Sequence, residues 1–123
     1  MNLPLWLAVA LGGAAGSLLR WQVSVWLRSA WPAFPWGTLL VNVSGGFLMG
    51  FVAAWCVARP VPDWMRIGMM TGIMGGYTTF SAFSLDTLEL WRQGAAPALM
   101  NIAANLLLSL GACALGLWAA RAI

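Results

Sequence analysis

Four apolar stretches, each long enough to cross a lipid bilayer, leave this chain little choice of fold. A spanning helix needs about 20 mostly apolar residues. Such stretches run from Pro4 to Leu27, from Trp36 to Ala58, from Trp64 to Trp91 and from Pro97 to Ala120. Turn chemistry separates them: Arg28 with Trp31, Pro32 and Pro35, then Arg59-Pro60-Val61-Pro62-Asp63, then Arg92-Gln93-Gly94. Proline and glycine at such places stop helices. Only 7% of the residues are charged and 62% are hydrophobic, against about 25% charged in a soluble domain. Nine tryptophans suit a chain with two membrane interfaces. The sequence predicts an all-α membrane protein, a single transmembrane domain over residues 1–123 with four spanning helices.

Several function classes fall away. The net charge of +3 is too small and too scattered for a nucleic-acid partner, which needs a clustered basic face. There is no histidine, no paired carboxylate beside a nucleophile and no cysteine cluster, so an enzyme or a zinc site is not expected. Cys56 and Cys113 read as free and inert in apolar surroundings. The N-terminal apolar run continues too far for a cleaved leader and reads as the first span.

The third stretch carries the feature that points to function. Gly75-Gly76-Tyr77-Thr78-Thr79-Phe80-Ser81-Ala82-Phe83-Ser84 lies in its middle. Adjacent glycines are poor helix residues, and Ser and Thr divert backbone hydrogen bonds to their own side chains. The sequence predicts a helix broken at mid-membrane and restarting near Phe80 or Ser81. Irregular backbone at membrane depth persists only where protein buries it or it lines a polar cavity. The restarting N-terminus offers free N–H groups and a positive dipole end, which suit an anion. The unwound carbonyls around Gly75 to Thr78 suit a small cation.

Polar residues in the other spans favour a pathway for a small anion. Thr38 and Asn42 share one helical face, and Asn101, Asn105 and Ser109 form a stripe at four-residue spacing. Interhelical hydrogen bonding is the plainer alternative for any one of them. The chain has three acids in all, with Asp63 in a loop and Asp86 and Glu89 near the end of the third span, so a proton or cation route lacks its carboxylates. Phe80 and Phe83, three apart, present rings whose positive edges can coordinate an anion without holding it tightly. Plain packing is the alternative for the pair.

Arg59, Arg66 and Arg121 fall on one side of the membrane, and Arg28 and Arg92, with Arg20 if it reaches that surface, on the other. Orientation follows the Lys/Arg bias of short loops, and here that bias is close to nil. The sequence therefore predicts insertion in both orientations and an antiparallel dual-topology homodimer. Small-residue ladders point to close helix packing: Gly12 and Gly16, Gly13 and Ser17, Gly46 and Gly50, and Gly68, Gly72 and Gly76. Their number favours an oligomer over packing within one chain alone.

These segments resemble the Fluc (CrcB) family of fluoride channels over essentially the whole chain. The resemblance rests on Gly12-Gly13-Ala14-Ala15-Gly16-Ser17-Leu18-Leu19-Arg20, on Gly37-Thr38-Leu39-Leu40-Val41-Asn42-Val43-Ser44-Gly45, on the segment from Gly75 to Ser84, and on Asn105 with Ser109. It implies a passive fluoride channel of the bacterial inner membrane that exports fluoride and confers fluoride resistance, built as an antiparallel dimer with two pores. By the family pattern Asn42, Phe80 and Phe83 lie along the fluoride path, and Ser81 and the polar face of the fourth span help to line it. Arg20 sits at a vestibule. The resemblance further implies that the backbone carbonyls of Gly75 and Thr78 from both subunits hold one central, structural sodium ion. The sequence departs from the family where Asp86 stands for a frequent Glu, where Ala82 stands for Thr or Ser, and at Asn101, near which many members have Tyr.

Two other functions fit a four-span chain. A proton-coupled exporter of small cationic drugs needs a membrane-embedded acid, usually in the first span, and none is there. A structural assembly protein would tolerate loss of Asn42 and of the break.

Overall fold

The computed structural model describes residues 3–123 and is all-helical. Helix α1 covers Leu5–Ala30 and α2 covers Trp36–Ala58. The third span is in two parts. Its first part, α3, starts at Asp63–Ile67, widens into a π-helical segment over Gly68–Met74 and closes with one α-helical turn, Gly75–Tyr77. After a two-residue interruption α4 runs over Phe80–Gln93, and α5 over Ala95–Arg121. Pro4, Pro35 and Pro62 each stand immediately before a helix, a place where the missing N–H costs nothing. Gly94, at φ 156°, ends α4 and makes the one-residue turn into α5. An L side chain there is strained, which is why glycine serves.

Two helix pairs make the frame: α1 packs along α3, and α2 packs along α5, while α4 leans on α5. Both pairings depend on bare backbone. A Cβ on Gly12 would lie 2.5 Å from the Gly68 carbonyl, and one on Gly76 would lie 2.6 Å from the Gly13 carbonyl. On the other side, a Cβ on Gly46 would lie 2.9 Å from the Ser109 carbonyl, and Gly50 and Gly116 meet Cys113 and Phe47 backbone more closely still. Most of the ladder glycines are thus used up inside one chain, where they let helices approach and gain dispersion contact. That corrects the expectation drawn from their number. The count of ladders does not by itself argue for an oligomer, because most of these faces are covered by a helix of the same chain; Gly13 is the exception, with nothing within 4 Å of where its Cβ would be.

The interior is the reverse of a soluble core. Val41 and Asn101 are the largest fully buried side chains, and Thr38, Thr79 and Asn105 are also buried. Large apolar side chains instead face outward along α1, α2, α4 and α5, among them Leu18, Trp21, Leu48, Leu88, Leu107 and Leu110. A chain that turns its leucines outward and its asparagines inward is matched to an apolar solvent. Helices α2 and α5 are each long and apolar enough on their own to cross a membrane. In α1, Trp6 and Trp26 are both exposed. At 1.5 Å per residue they stand about 30 Å apart along the axis, the thickness of a hydrocarbon layer.

Candidate functional site

The break falls at Thr78 and Thr79. Both are extended, with φ −83°, ψ 157° and φ −152°, ψ 121°. The helix restarts at Phe80, as its sequence predicts. Two contacts hold the break open. Asn42, on α2, receives the Thr79 N–H on its Oδ1 (2.8 Å) and donates from Nδ2 to the Thr79 carbonyl (3.0 Å). A side-chain amide thus pairs with both polar groups of one extended residue, as a neighbouring strand would. Thr79 Oγ1 accepts from the Ala82 N–H (3.1 Å), which caps α4.

These contacts decide which carbonyls lose their helical donors. In an unbroken helix the Thr79 N–H would bond the Gly75 carbonyl, and the Ala82 N–H would bond the Thr78 carbonyl. Here those donors go to Asn42 and to Thr79 Oγ1. Gly75 is exposed, and a Cβ on it would meet only the Met70 carbonyl, at 3.8 Å. Gly75, exposed, and Thr78, half-buried, therefore carry carbonyl oxygens with capacity to spare, a donor set that fits a small hard cation such as sodium. No group of three or more His, Cys, Asp or Glu comes together among the described residues.

Beside the break lies a cavity of about 290 Å³. Asn42, Thr79, Phe80, Phe83, Asn105 and Ser109 line it, and no charged residue does. Asn42 and Asn105 meet across it, Nδ2 to Oδ1, at 3.0 Å. The Phe80 and Phe83 rings are 5.3 Å apart and tilted by 57°, in the range where one ring's edge approaches another's face. Phe83 is buried, whereas Phe80 is 73% exposed, so one wall of the cavity is open in a single chain. Ser109 Oγ is buried and is the one such side-chain atom without a hydrogen-bond partner among the described residues.

Three of the predicted residues stand elsewhere. Thr38 is buried and donates to Asp86 Oδ2 (2.7 Å). Both line a second, polar cavity of about 430 Å³ together with Ser24, Arg28, Glu89 and Gln93. Ser81 is exposed, its hydroxyl 3.2 Å from Thr79 Oγ1. Arg20 is half-buried on α1 and lines neither cavity; the arginine that lines the polar one is Arg28, two turns on. Reading the sequence also missed Thr87, which accepts from the buried Asn101. Its only signal is a place one turn beyond Phe83. Tyr77 and Ser44 join α3 to α2 through their hydroxyls at 3.0 Å.

Residues 7–117 match the family model described as "CrcB-like protein, Camphor Resistance (CrcB)". Among similar proteins, one from Bordetella petrii is 48% identical over 119 residues, covering 95% of this chain and 91% of that protein. One from Rhizobium meliloti is 49% identical over 95% of this chain and 96% of its own length. One from Rhizobium etli is 51% identical over 94% of each. All three are described as the fluoride-specific ion channel FluC. With the match running nearly end to end, and with a broken span and an inward polar stripe in place, this chain belongs to the CrcB family of membrane ion channels.

Proposed function

We propose that this protein is a passive, fluoride-specific channel that lets fluoride leave a bacterial cell, and that fluoride passes through the cavity beside the break. The observation that carries this reading is Ser109 Oγ: a buried hydroxyl with no partner, in an uncharged cavity between asparagines and phenylalanine rings. Leaving such a donor unsatisfied costs about 1–3 kcal/mol, so the site is built for a guest that accepts a hydrogen bond. Fluoride is small and strongly hydrated. Its dehydration must be offset by close donors, the same exchange that governs other selective pores. Asn42 and Asn105 shape the cavity, and Phe80 and Phe83 offer ring edges. Thr38, in the polar cavity with Asp86, continues the route towards the end of the span.

The open wall at Phe80 is what a second, antiparallel copy of this chain would close, giving two pores per dimer. Ser81 and Arg20 lie outside the cavity of one chain, and a place on the path for either depends on that second copy. A structural sodium ion fits the Gly75 and Thr78 carbonyls of both copies, adding positive potential between the pores. Replacing sodium by a bulky organic cation should then stop fluoride passage, and a C-terminal tag should be found on both membrane faces. Normal passage without sodium, or a tag confined to one face, contradicts these two points.

Cells lacking their own fluoride exporter test the function itself. Expression of this protein should restore growth in fluoride medium, and Asn42→Leu should not. Failure of the unaltered protein to restore growth removes the reading.

A further inference from the structure

Five of the interior hydrogen bonds connect in series from Thr79 to Phe83, and within that relay the donors point one way. It starts where the Thr79 N–H donates to Asn42 Oδ1 (2.8 Å) and Asn42 Nδ2 to Asn105 Oδ1 (3.0 Å). Asn105 Nδ2 then donates to Asn101 Oδ1 (3.0 Å), and Asn101 Nδ2 to Thr87 Oγ1 (2.9 Å). The last bond runs from the Thr87 hydroxyl to the Phe83 carbonyl (2.7 Å). The relay leaves the residue before Phe80, crosses α2 and α5, and returns at Phe83. It therefore ties both ends of the turn that carries the two rings. Bonds in series with one polarity strengthen each other in a low-dielectric interior.

Direction matters as much as connection. A side-chain amide has a donor end and an acceptor end. Asn42 meets the Thr79 N–H and carbonyl only if its oxygen faces the N–H. Asn105 Nδ2 faces the Asn101 backbone carbonyl (2.9 Å) as well as its side chain, so Asn101 Oδ1 must face Asn105 to continue the same sense. Thr87 sets the sense at the far end: its hydroxyl hydrogen goes to Phe83, so towards Asn101 it can only accept. Asn101 is fully buried, with no water to substitute if it turns over.

We infer that Asn101 and Thr87 are positioning residues for fluoride passage: acting through Asn105 and Asn42, they brace the relay that holds the break and the pose of Phe80 and Phe83. This rests on the function proposed above. Neither residue lines the cavity beside the break, so their effect on passage is indirect. A turned-over Asn101 would set donor against donor at Asn105 Nδ2 and loosen the far end of the relay.

The test compares Thr87→Val, which keeps the shape and loses the hydroxyl, with Thr87→Ser, which keeps the hydroxyl. Fluoride efflux from proteoliposomes and hydrogen exchange at the Thr79 amide are read on each. Thr87→Val should slow efflux and speed exchange, each by about tenfold, the weight of one hydrogen bond; Thr87→Ser should match the parent in both. Adding Asn101→Leu to Thr87→Val should slow efflux no further than Asn101→Leu alone, since the two act in one chain of bonds. The inference is overturned if Thr87→Ser is as impaired as Thr87→Val, or if Thr87→Val leaves efflux unchanged, whatever its exchange. Should the parent protein itself release no fluoride, the proposed function fails on its own, and an unchanged exchange rate in Thr87→Val still sinks the relay.

Discussion

Asn42 and Ser109 line the same cavity but answer to different demands. Asn42 uses its oxygen and both amide hydrogens on protein partners, two of them backbone groups of Thr79. Removing it strands those groups in an apolar surrounding. We expect Asn42→Leu to lower unfolding stability by about 3 kcal/mol, seen as a clear drop in melting temperature in detergent, and to abolish fluoride flux. Ser109 Oγ has no partner to lose. Ser109→Ala removes an unsatisfied buried group and should raise stability, by up to about 1–3 kcal/mol, and still slow flux; unchanged flux would remove the hydroxyl from the path. Asn42 and Asn105 were legible as inward residues because each sits on a polar stripe with four-residue spacing. Thr87 was not, since a lone threonine inside a helix commonly bonds only its own preceding turn. The Phe pair was half legible. Residues three apart sit about 60° apart around a helix, enough to bury Phe83 and expose Phe80.

At the scale of elements, the third span is two helices whose facing ends are finished by side chains. The break could be read from Gly75, Gly76 and the hydroxyls after them, and the restart at Phe80 follows from Thr79 as cap. The π-helical segment Gly68–Met74 could not, because its glycines also fit an ordinary close-packed helix. The ladders show the same ambiguity: spacing says that a helix face is small, not which helix covers it. The coordinates put α1 over Gly72 and Gly76. Gly76→Ala should therefore destabilise the α1–α3 pair by about 1–3 kcal/mol, its Cβ driven against the Gly13 carbonyl. Gly13→Ala, whose Cβ would meet nothing within 4 Å, should be close to neutral by the same melting measurement. Equal effects from the two would contradict the packing described.

The whole molecule is organised inside out, with a polar relay at the centre and leucine and tryptophan at the rim. The all-helical character and the four apolar stretches were legible because lipid imposes length and apolarity on every span. Charge placement was less so. Arg20 and Arg28 lie two turns apart on α1, and only the second reaches a polar cavity, a distinction that depends on how α1 is rotated against α2 and α4. The central claim is that a cavity beside a broken helix, lined by unpaired donor, amides and ring edges, passes fluoride and little else. Efflux from proteoliposomes, with an ionophore balancing charge and chloride run in parallel, measures it directly. The account predicts rapid release of fluoride with chloride retained; chloride leaving alongside fluoride, or neither ion leaving, would contradict it.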